Sequence, residues 1–318
     1  MSSDAGQVGD LSATPNRRLL GRIARVGLGA AGLVLLVVAL MSSWDRSERL
    51  LRSPQRLVVA FVVMVIALSL LARAWAALFG PEAASRELRH GFYVSQLGKY
   101  VPGGIWQAAG AVSLARDAGA ELAPASTAFV VLAVVQVAAA ATVAGLAAIP
   151  APELPTLFRI AVIAGLASVA LVHRGWMVVA LRWAARVVKR LDVGVIPPQA
   201  AILRAYAWSV AALGLASSSF AVVVHPPSVA LNFTAVAAFA TAWWIGFVAI
   251  PFPSGIGIRE AVLVGLLRVP LGSGVVLGAA VGQRLVSIAA ELALIAATGT
   301  RRLHQRRRPR PPSVPGPD

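Results

Sequence analysis

The sequence predicts an all-α, polytopic membrane bundle of about seven to eight spans, and three observations predict it. Of 318 residues, 58% are hydrophobic and only 13% are charged, where a soluble domain carries about 25% charged residues. Too little polar surface remains to coat a water-facing fold, so lipid is the consistent solvent. The apolar residues, with a mean hydropathy of +0.76, gather into stretches near the ~20 residues a helix needs to cross a bilayer. Charge collects at the ends of those stretches: Arg17, Arg18, Arg22 and Arg25 precede the first, and Arg301, Arg302, Arg306, Arg307, Arg308 and Arg310 follow the last.

Taken in order, residues 1–16 are polar and rich in Gly and Ser, which predicts a disordered tail. Residues 17–300 form the membrane domain, with apolar stretches at 24–42, 57–79, 124–148, 157–173, 202–224, 230–250 and 274–298. The run at 19–40 is too long for a signal peptide and no Ala-x-Ala site precedes Trp44, so an uncleaved first span is expected. Residues 301–318 make a basic, Pro- and Arg-rich cytoplasmic tail. The segment 174–191 carries Trp176, Val179, Ala180, Trp183 and Val187 on one helical face, with Arg182, Arg186 and Lys189 beside it. That is the pattern of a helix lying in the membrane interface.

Basic loops set the orientation, because they stay cytoplasmic. The amino terminus, the loop 80–99 and the segment 174–204 are therefore inside, and the uncharged turns near 150–155 and 225–232 are outside. The loop 43–56, with Arg46, Arg49, Arg52 and Arg56, falls outside against the rule. With both termini cytoplasmic, seven crossings need one more, and 251–270 is assigned to supply it.

Several function classes are excluded or disfavoured. The chain has no cysteine, which removes disulfides, thiolate metal sites and cysteine nucleophiles. The net charge of +16 flanks apolar spans, which reads as contact with anionic lipid rather than with nucleic acid. His90, His173, His225 and His304 are scattered without metal-ligand spacing. No nucleophile elbow or phosphate-loop lysine motif occurs. No enzyme activity, metal or cofactor is expected.

Two stretches, 91–115 and 251–270, are apolar but interrupted by Gly and Pro. The first reads Gln96-Leu97-Gly98-Lys99-Tyr100-Val101-Pro102-Gly103-Gly104-Ile105-Trp106-Gln107, the second Ile250-Pro251-Phe252-Pro253-Ser254-Gly255-Ile256-Gly257-Ile258-Arg259-Glu260. With Pro102 set on Pro253, Gly104-Ile105 falls on Gly255-Ile256, a short internal repeat. Irregular backbone survives at membrane depth only inside protein or beside a water-filled cavity. A helix that starts there offers first-turn N–H groups to an anion. Paired broken helices are the sequence mark of a midplane transporter site.

The run Gly98-Lys99-Tyr100-Val101-Pro102-Gly103-Gly104 and the run Pro253-Ser254-Gly255-Ile256-Gly257-Ile258-Arg259-Glu260-Ala261, followed by Arg284-Leu285, resemble the transmembrane domain of lysylphosphatidylglycerol synthases. That family includes stand-alone flippase-like proteins. The resemblance covers roughly residues 20–300. It implies a bacterial inner-membrane protein, multi-pass, that moves an anionic phospholipid or lipid-linked sugar between leaflets. Where many members place a small residue, an acid and an arginine, Trp106, Gln107 and Gly110 stand here. The aminoacyl-transferase domain of the bifunctional members is not expected after residue 318.

The residues expected to meet a lipid phosphate are Lys99, Tyr100, Pro102, Gly103, Gly104 and Gln107 on the first broken element. On the second they are Pro253, Gly255, Arg259 and Glu260, with Arg284 and Glu291 on the last span. Charges inside a bilayer are costly unless paired or wet. Guanidinium groups suit phosphate as bidentate donors. The alternative for Arg284 is pairing with Glu260 or Glu291 to lock the bundle. At the level of function, the alternative is a non-catalytic scaffold for a glycosyltransferase or other lipid-modifying enzyme. Ser217 to Ser219 read as small-residue helix packing, and Trp44, Trp75, Trp243 and Trp244 as interfacial anchors.

Overall fold

A computed structural model describes residues 54–80, 85–100, 106–187, 194–248 and 257–306. Among these the chain is helical, with no strand. The helices are α1 (Pro54–Ala77), α2 (Arg86–Gln96), α3 (Trp106–Asp117), α4 (Leu122–Ala148) and α5 (Thr156–Ala164). They continue with α6 (Arg174–Val187), α7 (Gln199–Val224), α8 (Val229–Val248), α9 (Ile258–Leu271) and α10 (Ser273–Arg306). Short 3-10 stretches occupy Leu97–Tyr100 and Gly165–Val172. The chain is a multi-pass membrane protein: α1, α4, α7, α8 and α10 are each long and apolar enough to cross a bilayer. The expected first span at 24–42 and both predicted tails, apart from the continuation of α10 to Arg306, lie outside the described residues.

The crossing helices pack through small residues. α4 sits centrally, burying Ala138, Ala139, Ala140, Ala141, Ala144 and Gly145 against α7, α8 and the 3-10 stretch. Alanine and glycine let backbones approach closely in the absence of a hydrophobic driving force from lipid. α1 packs along α7, and α10 closes the bundle against α1, α2, α7 and α9. Cross-helix polar contacts add to this: Ser219 Oγ donates to the carbonyl of Ala60 (2.9 Å) and lies 3.1 Å from Gln283 Nε2. Ser219 thus joins α7 to α1 and α10 by hydrogen bonds, while Ser218 donates to Gly214 in its own helix.

The stretch 157–173 is not the single α-helix expected of a span. α5 gives way to 3-10 geometry at Gly165, and the chain then turns through 92° into α6. Nine α-helical and eight 3-10 residues reach about 30 Å, still the thickness of the hydrocarbon core. Backbone groups freed at the turn find side-chain partners. Gly175 N–H donates to His173 Nδ1 (3.2 Å), Arg174 N–H donates to Gln199 Oε1 (2.8 Å), and Gln199 Nε2 donates to the carbonyl of Val172 (3.3 Å). α6 buries Met177 and Leu181 and exposes Trp176, Val179 and Trp183, the face the sequence assigned to the interface.

Both interrupted stretches form short helices. α2 and α3 make a hairpin whose tip is the 3-10 turn Leu97–Tyr100. A Cβ on Gly98 would stand 2.7 Å from the backbone of Trp106 and Gln107, so the hairpin closes only around a residue without one. α9 has 14 residues, about 21 Å, short of the ~30 Å core. It is entered from Gly257 at φ 84°, in the left-handed region where glycine is at ease.

Candidate functional site

The turn at the tip of α2–α3, the first turn of α9 and the middle of α10 face one another across a cavity of ≈ 350 Å³. Lys99, Tyr100 and Gln107 line it from the first broken element, Arg259 and Glu260 from the second, and Arg284 and Glu291 from α10. Seven of the twelve residues singled out from sequence therefore share one cavity. Pro102, Gly103, Gly104, Pro253 and Gly255 lie outside the described residues.

Two ion pairs tie the broken elements to α10. Lys99 Nζ donates to Glu291 Oε1, and Lys99 also lies 5.1 Å from the centre of the Tyr100 ring. Arg284 Nε donates to Glu260 Oε1 at 2.6 Å. Of the two partners weighed for Arg284, the fold selects Glu260. Glu260 also reaches back with Oε2 to accept the Gly257 N–H at 2.8 Å. That N–H, expected to be offered to a ligand, is already satisfied. The helix dipole favours the carboxylate there.

Arg259 differs from the other cations. Among the described residues no carboxylate lies within ion-pair distance of it. Its guanidinium stands over the ring of Trp243, 5.7 Å from the centroid, a geometry in which the ring quadrupole attracts the cation. Gly246, one turn along α8, makes room: a Cβ there would fall 2.6 Å from Arg259 Cγ. Three cations thus share the cavity with two carboxylates, leaving a surplus of one positive charge.

Three polar atoms of residues that line this cavity are buried without a hydrogen-bond partner: Arg259 Nε, Arg284 Nη2 and Glu291 Oε2. Buried polar groups are nearly always satisfied, and exceptions in a native fold call for an explanation. All three belong to side chains that line the cavity, although the atoms themselves are covered by protein. An anion fits the two donors, since guanidinium hydrogen bonds to phosphate or carboxylate are among the strongest a protein makes.

The sequence reading missed part of the wall. Gln96, Gln136 and Gln283 line the cavity, and Gln107 Nε2 donates to Gln96 Oε1 at 3.2 Å. The signal was present: Gln136 and Gln283 are lone amides inside apolar spans, where polar groups seldom sit without a use. Trp243 was assigned to the interface, as was Trp75. Trp243 instead lines the cavity, and Trp75, 1% exposed, stacks on Phe92 in the core. Position near a span end does not distinguish an anchor from a core ring when a neighbouring helix covers it. Arg116 and Asp117, the charges after the first broken element, are exposed at the end of α3 and away from the cavity wall. His90 lies elsewhere, with Nδ1 2.7 Å from Thr298 Oγ1.

Comparisons with family models, with curated proteins and with solved structures find no match to this chain.

Proposed function

We propose that this membrane protein binds an anionic lipid or a polyprenyl-phosphate-linked glycan through its phosphate in the central cavity and moves it between leaflets. The observation that carries the reading is Arg259: a guanidinium at a cavity wall, stacked on Trp243, with no carboxylate partner among the described residues and a buried Nε without a hydrogen bond. Placing a lone cation at membrane depth is costly. A ligand phosphate would supply the missing counter-charge and two acceptors for the forked guanidinium. Arg284 Nη2 is a second buried donor without a hydrogen-bond partner on a residue lining the cavity.

This reading agrees with what the resemblance to the flippase-like transmembrane domain implies, including a bacterial inner membrane and cytoplasmic termini. The two broken elements would hold the head group while the crossing helices face the acyl or prenyl chains. Glu260 and Glu291, each bound to a cation in the resting state, would act as internal counter-ions that the arriving phosphate displaces.

The test is a liposome assay with a fluorescent phosphatidylglycerol whose outer-leaflet label is bleached by a membrane-impermeant reductant. Reconstituted protein is expected to expose the inner pool to bleaching, and Arg259→Ala to reduce the rate at least tenfold. Equal bleaching in empty and protein-containing liposomes, together with no anionic lipid enriched on the gently purified protein, would overturn the proposal. It would favour the scaffold alternative, in which the two ion pairs serve only to lock the bundle.

A further inference from the structure

Independently of the cavity and its cargo, we infer that the outside of the bundle carries a resident-lipid site, a groove between the end of α1 and the start of α7 that holds one net-negative phospholipid of the surrounding leaflet. Arg73 on α1 and Arg204 and Trp208 on α7 form its head-group end. The two helices run side by side in opposite directions: Arg73 meets Trp208 toward one end, and Ala60 meets Ser219 toward the other.

The Arg73 guanidinium lies over the Trp208 ring, 5.4 Å from its centre, and this cation–π contact fixes where the charge sits. Arg204 stands one turn before Trp208 on the same face of α7, a spacing that puts Cβ atoms about 5–6 Å apart. Both arginines are exposed, and Trp208 is 37% exposed. Among the described residues no carboxylate lies within ion-pair distance of either arginine. Neither belongs to the cavity wall. Arg73 is four residues from the end of α1 and Arg204 five from the start of α7, about 6 and 8 Å along their helices. From there a long side chain extends its head to the phosphate layer, and a guanidinium grips phosphate through two donors at once.

The surface that continues from Arg73 is apolar. Ile66, Val62 and Val59 on α1 are exposed at helical spacing, and Ala211 on α7 is exposed one turn beyond Trp208. An acyl chain covers such a stripe, whereas an acidic peptide would satisfy the arginines and leave the stripe bare. A zwitterionic lipid would bring its own ammonium to a place that already holds two cations, so a net-negative head group is favoured. The inner faces of the same two helices supply Met64, Leu68, Ala212 and Leu213 to the cavity wall. The lipid therefore braces two walls of the cavity from behind.

The experiment is native mass spectrometry of the full chain released from nanodiscs that contain phosphatidylglycerol and phosphatidylcholine in equal amounts with matched acyl chains. Arg259→Ala, which removes the cavity cation, is expected to keep one tightly held phosphatidylglycerol. Adding Arg73→Ala and Arg204→Ala is expected to weaken that lipid at least about tenfold, the worth of a hydrogen bond to a charged group, with phosphatidylcholine binding unchanged. Trp208→Leu is expected to weaken it about two- to fivefold, the worth of an exposed cation–π contact. Arg204→Ala alone, which removes no hydrogen bond among the described residues, is expected to melt with the wild type in phosphatidylcholine nanodiscs and below it in phosphatidylglycerol nanodiscs. Loss of all preferential phosphatidylglycerol binding in Arg259→Ala, or unchanged retention when Arg73 and Arg204 are also replaced, would overturn the outer site and leave the cavity proposal standing. Retention that depends on Arg73 and Arg204 but not on Arg259 would uphold the outer site and remove support from the cavity as an anion site.

Discussion

The two ion pairs that flank the cavity are mirror images in polarity and unlike in depth. On the first broken element the cation is local: Lys99 reaches across to Glu291 on α10. On the second, Glu260 supplies the carboxylate and α10 the cation, Arg284. The first pair sets a fully buried carboxylate, 1% exposed, against a lysine that keeps 26% of its side chain accessible. The second is evenly placed, at 15% for Arg284 and 17% for Glu260. α10 is thus the shared strut that reads both broken elements, and Arg284 and Glu291 on it have opposite tasks. The first pair holds a charge that has nowhere else to go. The second holds its members close to the cavity while a neighbouring cation, Arg259, stays uncommitted.

The largest effect is expected from breaking the first pair. Lys99→Met strands Glu291 and is expected to destabilise the protein by about 3 kcal/mol, the low end for breaking a buried pair because Lys99 is partly exposed. Thermal unfolding in nanodiscs measures it, and adding Glu291→Gln should restore most of the loss. An unchanged melting temperature for the single variant would show that the pair holds nothing.

Next in size is Glu260→Gln, which removes the charge from a bond to Arg284 and weakens the acceptor for Gly257 N–H. About 2 kcal/mol of stability is expected to go, the value of a charge-assisted hydrogen bond. Anionic lipid binding should rise, because Arg284 is released, and native mass spectrometry would register that opposite sign. A fall in both stability and binding would mean that Glu260 positions Arg284 for the ligand rather than competing with it.

Gly98→Ala tests whether the first element depends on hairpin closure. The new Cβ meets backbone at 2.7 Å, and backbone cannot swing aside as a side chain does. A cost of about 1–3 kcal/mol is expected from overpacking, and increased proteolysis near residues 97–106 would report an opened tip.

The smallest effect belongs to Trp243→Leu. Loss of the cation–π contact with Arg259 should cost about 1 kcal/mol and about fivefold in anionic lipid binding, with little change in melting temperature. A stability loss as large as that of Lys99→Met would place Trp243 in the structural core instead of the site.

Much of the site was legible before any coordinates. A Pro–Gly interruption in an apolar run, a charge close to it and a second copy later in the chain are local signals, and they led to Lys99, Tyr100, Gln107, Arg259 and Glu260. Arg284 and Glu291 were legible because charges inside an apolar span are conspicuous. Trp243, Gly246 and the glutamines were not selected, because a tryptophan near a span end, a glycine in a helix and a lone amide each have ordinary structural explanations. Only the juxtaposition of Gly246 and Trp243 with the Arg259 side chain separates them from those.

What the sequence alone determined was the solvent and the secondary structure. Lipid demands that backbone hydrogen bonds close within a segment, so hydrophobic runs of sufficient length become helices wherever they occur. Composition alone therefore places α1, α4, α7, α8 and α10. What only the tertiary structure decided was the choice of partners. Lys99 and Glu291 are separated by 192 residues, and nothing in local propensity says that Glu291 takes Lys99 while Glu260 takes Arg284. That choice is set by how α10 packs against α1, α2, α7 and α9, which fixes where it stands between the two broken elements. It also leaves Arg259 as the cavity cation with no carboxylate among the described residues within ion-pair distance.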